Sequence, residues 1–255
     1  MKGSIEFEKY LPLTGEIVEK VSVDNVIMDN VLNSLAGLDR SFSNHRIVLG
    51  SSFNDDELVT TFNTMPGQIY VSNTGNTTFG YQSGNRHFTV ECELNPLEGN
   101  GNIIAVGITA GGKLYNRAIF KRYGKLDDNE TYEYKVVGIL GSQIAPASNA
   151  SMITTGISSD KNTNKITWQS NGVSSFYQVY RKSPGSLTFK LLTTTSRLFI
   201  YDDGFLTESS STIPSPVGSI PMVNILPAST LSDPVPYAVE KTQEFAARVR
   251  VKIQF

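Results

Sequence analysis

The chain is poor in the residue types that most often carry chemistry. Its 255 residues include one cysteine, two histidines and one tryptophan. A single thiol, Cys92, excludes an intrachain disulfide framework, and histidines as far apart as His45 and His87 suggest no metal cluster. No run approaches the roughly 18 consecutive apolar residues of a membrane-crossing helix. The charges of Glu6, Glu8 and Lys9 stand where an export signal needs its apolar segment, so synthesis in a cytoplasm without membrane insertion is expected. Neither sign of charge dominates. Twenty-two Lys and Arg face 24 Asp and Glu, for a net charge of −2, and no basic cluster longer than a pair points to nucleic acid. G-x-S-x-G, H-E-x-x-H, C-x-x-C and a glycine-rich dinucleotide turn are all missing. Gly112-Lys113 lacks the earlier glycine of a phosphate loop, and Leu114 stands where that loop needs Ser or Thr. The expectation is a protein that is not an enzyme and uses no cofactor or metal.

What is present leans towards strands. Hydrophobic residues make up 39% and charged residues 18%, enough of the first and few enough of the second for a folded chain. Many remaining positions are Ser, Thr, Asn and Gly, which favour turns and exposed strand faces over helix interiors. The length fits two modest domains. IEFEKY alternates Ile5 and Phe7 with Glu6 and Glu8, the period of a strand with one wet face. Further strands are expected at Arg46 to Leu49, Gln68 to Ser72 and His87 to Leu94; in the last, Phe88, Val90, Cys92 and Leu94 share a face and make Cys92 a buried small hydrophobe. NIIAVGI and LYNRAIF read as a hairpin with Gly111 and Gly112 at its tip. TYEYKVVGIL places Tyr132, Tyr134 and Val136 together. One segment has helical spacing: Val26, Ile27, Val31, Leu32 and Leu35, with Asp24 as N-cap and Gly37 as stop, predict a helix over about 24–36.

SQIAPASNASM, residues 142–152, has the composition of a linker. Beyond it, KITWQS, FYQVYRK, FKLLTTT and RLFIYDDG are strands at the spacing of a small antiparallel sandwich. The next stretch holds six prolines between Pro214 and Pro236 and predicts an extended surface arm. FAARVRVKIQF then sets Phe245, Val249, Val251, Ile253 and Phe255 on an apolar face, making it a candidate assembly strand. The acidic groups Asp55-Asp56-Glu57, Asp127-Asp128 and Asp202-Asp203 are read as turns, because neighbouring carboxylates on a strand point to opposite faces and cannot flank one bond. Trp168 shares a face with Ile166. It is read as a core anchor, since burying its ring is how a thin sandwich gains stability.

Two family resemblances follow from these phrases. DNVIMDNVLNSLAGLD, RIVLGSS and FTVECELNPLEGNGNIIAVGITAGGKLYNRAIF resemble tailed-bacteriophage virion proteins. The matches are Gly37-Leu38-Asp39, Val48-Leu49-Gly50, Val106-Gly107 and Leu114 to Phe120 with Arg117-Ala118, and Ala105 stands where an acidic residue is usual. This resemblance spans roughly residues 22–137. The segment holding Trp168, Tyr177, Val179, Tyr180 and RLFIYDDG is similar to a fibronectin type III-like or Ig-like module, with its usual final strands replaced by the Ser/Pro-rich arm. The implied architecture is all-β: a β-sandwich domain with one packed helix at 1–144, a fibronectin type III-like module at 145–208, and an arm with a terminal strand at 209–255. The implied role is a virion structural component at the neck, tail or fibre attachment. It would form homo-oligomers and bind other virion proteins, with an outward module. A carbohydrate-binding or glycan-degrading protein that recognises a host-surface glycan is the alternative.

Overall fold

A computed structural model describes residues 2–24, 26–27, 45–51, 64–72, 76–82, 85–110, 113–158 and 161–254. Every regular element among the described residues is a strand, and the sheets are antiparallel, so the all-β expectation is met. The helix expected over about 24–36 finds no support. Asp24 ends the strand Ile17–Asp24, Val26–Ile27 pairs with Arg117 and Asn116, and residues 28–36 lie outside the described residues.

The chain forms two compact units, Met1–Lys121 with Pro236–Phe255, and Arg122–Val235. This partition differs from the expected division at 144 and 208. The reason is pairing: Thr131–Leu140, whose alternation is that of any half-buried strand, bonds to Phe176–Lys182 and so belongs to the second unit.

The first unit is a sandwich of two five-stranded sheets. In one, the order is Ile17–Asp24, Lys2–Tyr10, Ala246–Gln254, Asn85–Leu94 and Asn76–Gln82. In the other it is Val26–Ile27, Lys113–Ile119, Ala105–Ala110, Arg46–Gly50 and Gln68–Val71. Ile5, Phe7, Val90, Val249 and Val251 from the first sheet meet Ile47, Leu49, Val106 and Ile108 from the second in one core. Burial of this apolar area, at about 25 cal/mol per Å², is the main term holding the sheets together. The outer face of the first sheet is a ladder of opposite charges. Arg250 lies between Glu6 and Glu91, and Arg248 between Glu8 and Glu93, as the register of the three strands dictates. Opposite charges placed directly across strands each contribute a little and fix the register. The Val106-Gly107 position has a steric cause: a Cβ on Gly107 would lie 2.2 Å from the Asn116 carbonyl oxygen.

The second unit has its own core. Thr131–Leu140 pairs on one side with Gln143–Ile144 and Ser151–Thr154 and on the other with Phe176–Lys182, which pairs with Lys190–Thr195. The facing sheet centres on Thr163–Gln169, with Phe199–Asp202 on one side and Asn224–Ile225 and Ser229–Leu231 on the other. Strands from both sides of residues 145–208 thus complete these sheets, Thr131–Leu140 before them and Asn224–Ile225 and Ser229–Leu231 after them. The Ser/Pro-rich segment is no free arm. Ser209 and Ser211 bond to the backbone of Leu191, Val217 exchanges two backbone hydrogen bonds with Ile144, and Ile225 pairs with Trp168. Proline forbids long ladders but not these short ones, and the segment covers sheet edges that would otherwise present unpaired backbone groups.

Candidate functional site

The candidate assembly strand at the C-terminus takes a central place in its sheet. Ala246–Gln254 is paired along both sides, with Lys2–Tyr10 and with Asn85–Leu94. Val249, Val251 and Ile253 are buried in the core of the first unit. A strand whose two edges are occupied cannot add to another sheet. Phe245 precedes the strand, with the Lys9 ammonium 5.1 Å from its ring centre, and Phe255 lies outside the described residues. Cys92 is buried on the apolar face of its strand, and burial pushes its thiol up to about 12, far from an activated nucleophile. Among the described residues no group of three or more His, Cys, Asp or Glu is placed to hold a metal.

Trp168 sits in the core of the second unit, 2% exposed and 5.5 Å from the ring of Tyr177. Its Nε1 is buried and has no hydrogen-bond partner among the described residues. An indole in that position fills volume and is not offered to a ligand.

The polar chemistry of this unit gathers elsewhere. Arg181 shares the inward parity of Tyr177 and Val179, so its guanidinium enters the core and must be paired there. Its Nη1 donates to both carboxylate oxygens of Asp202 at 2.9 Å, and its Nε donates to Glu208 at 2.9 Å. Burial opposes this charge, but Asp202 and then Glu208 outweigh it and raise the guanidinium pKa above the ordinary arginine value. The Tyr134 hydroxyl donates to Asp202 at 2.8 Å and accepts from Asn164 at 3.0 Å, and Thr230 donates to Asn164 at 2.8 Å. Burial, reinforced by the Asp202 charge, holds the Tyr134 phenol pKa well above its ordinary value, so it remains a donor. This network links strands of both sheets, and a satisfied buried network of this kind specifies one packing.

The turns read from the acidic pairs frame one side of the network. Asp202 accepts from the Gly204 N–H and Asp203 from the Phe205 N–H, and Asp203 also binds Arg122 at 2.6 Å. Gly204 has φ +77°, a conformation that favours glycine, and a Cβ there would fit tightly, 3.1 Å from the backbone nitrogen of Leu126. The backbone N–H of Lys125 donates to the Asp203 carbonyl, which seats Lys125, Leu126 and Asp127 against the turn. At the opposite corner Asp128 accepts from Asn162 at 2.6 Å, and Asn129 takes φ 56°. A cleft of about 260 Å³ opens between Lys125, Asp127, Tyr132, Arg181, Ser183 and Gly204. Tyr132 turns its hydroxyl to Asp127 at 3.4 Å, and burial pushes its phenol up to about 12.

The sequence named Asp127, Asp128, Asp202 and Asp203 only as turn formers and Tyr132 and Tyr134 only as residues sharing a strand face. The available signal was Arg181, a cation at a position whose parity assigns it to the apolar face. The half-buried Phe199 and Tyr201 do not form a stacked platform of the kind sugars favour, since their rings meet edge-on at 71°. No protein-family model, no curated protein and no solved structure matches this chain.

Proposed function

We propose that this chain is a structural component of a tailed-phage virion, at the neck, tail or fibre attachment, and that it works by protein–protein assembly. The resemblance across residues 22–137 motivates the setting. The observation that carries the assembly role is the hairpin Lys2–Tyr10/Ile17–Asp24. Ile17–Asp24 forms an outer edge of its sheet, and no other described strand pairs with its far side. Around it Leu13 is 100% exposed, Ile17 51% and Val18 49%. Folded proteins normally blunt such edges with charge, proline or a covering segment, as the Ser/Pro-rich segment does in the second unit. The charges of this edge, Glu19 and Lys20, are ion-paired within the hairpin to Lys9 and to Glu6 and Glu8, and its exposed apolar start at Ile17 and Val18, unpaired by any described strand, suits addition of a strand from a neighbouring subunit. The supported mechanism is backbone pairing along Ile17–Asp24, with the apolar side chains supplying burial.

The test is the double substitution Ile17→Lys and Val18→Lys in the full chain, with mass measured by light scattering and incorporation into particles measured by immunoblot. The wild-type chain is expected to self-associate or to enter particles, and the variant to be folded but defective in whichever of these the wild type does. Normal assembly by the variant overturns the role of this edge.

A further inference from the structure

We infer that the cleft beside Arg181 is a binding site for one neutral sugar residue, a function separate from assembly at the Ile17–Asp24 edge. Arg181 is 9% exposed. Its Nε and Nη1 are committed to Glu208 and Asp202, which leaves Nη2 with no hydrogen-bond partner among the described residues. Because Arg181 lines the cleft, Nη2 is the donor it presents there. A guanidinium clamped by two carboxylates is rigid before any ligand arrives, so little ordering cost remains to be met on binding.

The rest of the lining selects the ligand class. Lys125 offers a second donor, Asp127 an acceptor and Ser183, whose proton goes to Glu208, a further acceptor, while Pro184 supplies apolar surface. Phe205, directly after the lining residue Gly204, is 45% exposed, with the Lys125 ammonium 4.1 Å from its ring centre. Mixed donors and acceptors beside apolar patches match vicinal hydroxyls on a ring that also has C–H faces. A free anion fits poorly. The positive charges of Arg181 and Lys125 face Asp127 within the cleft and Asp202 and Glu208 behind it, so no net positive potential remains. Size points the same way, since about 260 Å³ lies below the ~300–1,000 Å³ of drug-sized sites and suits a single ring.

The experiment is saturation-transfer NMR on the full chain with glucose, galactose and N-acetylglucosamine, and with sodium acetate as the anionic control. Transfer to at least one of the three sugars is expected, with affinity in the millimolar range and none to acetate. Asp127→Asn and Lys125→Met lie on the rim and spare the buried Arg181–Asp202 pair. Each is expected to weaken binding about tenfold, as loss of one hydrogen bond to a charged group does, while the thermal melt stays at the wild-type value. Absence of transfer from all three sugars, transfer from acetate alone, or unchanged sugar binding in both variants would overturn the assignment.

Discussion

Lys241 gives the sharpest test of how the first unit is held. Its side chain is 1% exposed, yet its ammonium is fully satisfied. It donates to the carbonyls of Glu98 at 2.7 Å and Asn95 at 3.1 Å and to Oδ1 of Asn100 at 3.0 Å, which uses the three protons that an ammonium has. The loop Asn95 to Asn100 is thus wrapped around a lysine much as a loop is wrapped around a metal ion. Lys241→Met keeps an unbranched side chain one heavy atom shorter and removes the donors. Each buried acceptor left without its donor costs about 1–3 kcal/mol. Asn95 is exposed and Asn100 half-buried, so water can restore part of the loss, and the lower end of that range applies. Three acceptors then give a destabilisation of about 3 kcal/mol. The sole tryptophan lies in the second unit, so urea unfolding read by Trp168 fluorescence follows that unit, whereas far-UV circular dichroism follows both. The expected result is a lower midpoint for a dichroism transition with the fluorescence transition unmoved. A loss below about 1 kcal/mol would show that solvent replaces the ammonium and that the cage contributes little.

Trp168→Ala should cost the second unit about 3–5 kcal/mol, the range for deleting a large buried ring. Trp168→Phe should cost much less because it also removes the buried Nε1 that lacks a partner; equal losses in thermal melts would show that volume is not what Trp168 supplies. Acid should weaken the same unit through Glu208. Burial works to raise its carboxyl pKa, but hydrogen bonds from Ser183 and Arg181 outweigh it and hold the value below the ordinary 4.5. The folded-state pKa is therefore the lower one, so this stabilisation is complete above pH 4.5 and is lost as pH falls through the lowered value. Glu208→Gln should flatten the stability-against-pH curve of the fluorescence transition in that window, and an unchanged slope would remove Glu208 from the account.

The period-2 alternation made the strands legible and, within each, the face that is buried. It could not tell which sheet a strand joins, because alternation encodes facing and not pairing. Thr131–Leu140 shows this: Tyr132, Tyr134 and Val136 face a core as their spacing requires, but the core is that of the second unit. Ala246–Gln254 shows it again, since an apolar face at Val249, Val251 and Ile253 is equally consistent with an edge and with the central place the strand takes. Proline misled for a related reason. It marks where a ladder must break, and the segment from Ser209 to Leu231 pairs only in the short gaps between prolines, too short to leave a periodic trace. The polar site was illegible as a set because Tyr134, Arg181 and Asp202 are dispersed along the chain and meet only through the fold. One member was visible in isolation: an arginine in step with Tyr177 and Val179 requires a buried carboxylate, though not which one.

These pairings change what a truncation can reveal. Removing residues 209–255 takes away Ala246–Gln254, which bonds to strands on both sides in the first unit, and also Asn224–Ile225 and Ser229–Leu231, which bond to Thr163–Gln169 in the second. It also deletes Glu208's neighbours at Ser209 and Ser211, which cover Leu191, and it removes Lys241 from its cage. Both cores would be opened, so loss of assembly in such a chain would report unfolding and say nothing about an interface. The same holds for cuts at 144 or 208, since the first separates Thr131–Leu140 from its partner Phe176–Lys182 and the second strips the covering segment from the sheet it protects. Only substitutions that leave the ladders intact, such as those at Ile17, Val18, Lys125 and Asp127, can separate what this chain binds from how it folds.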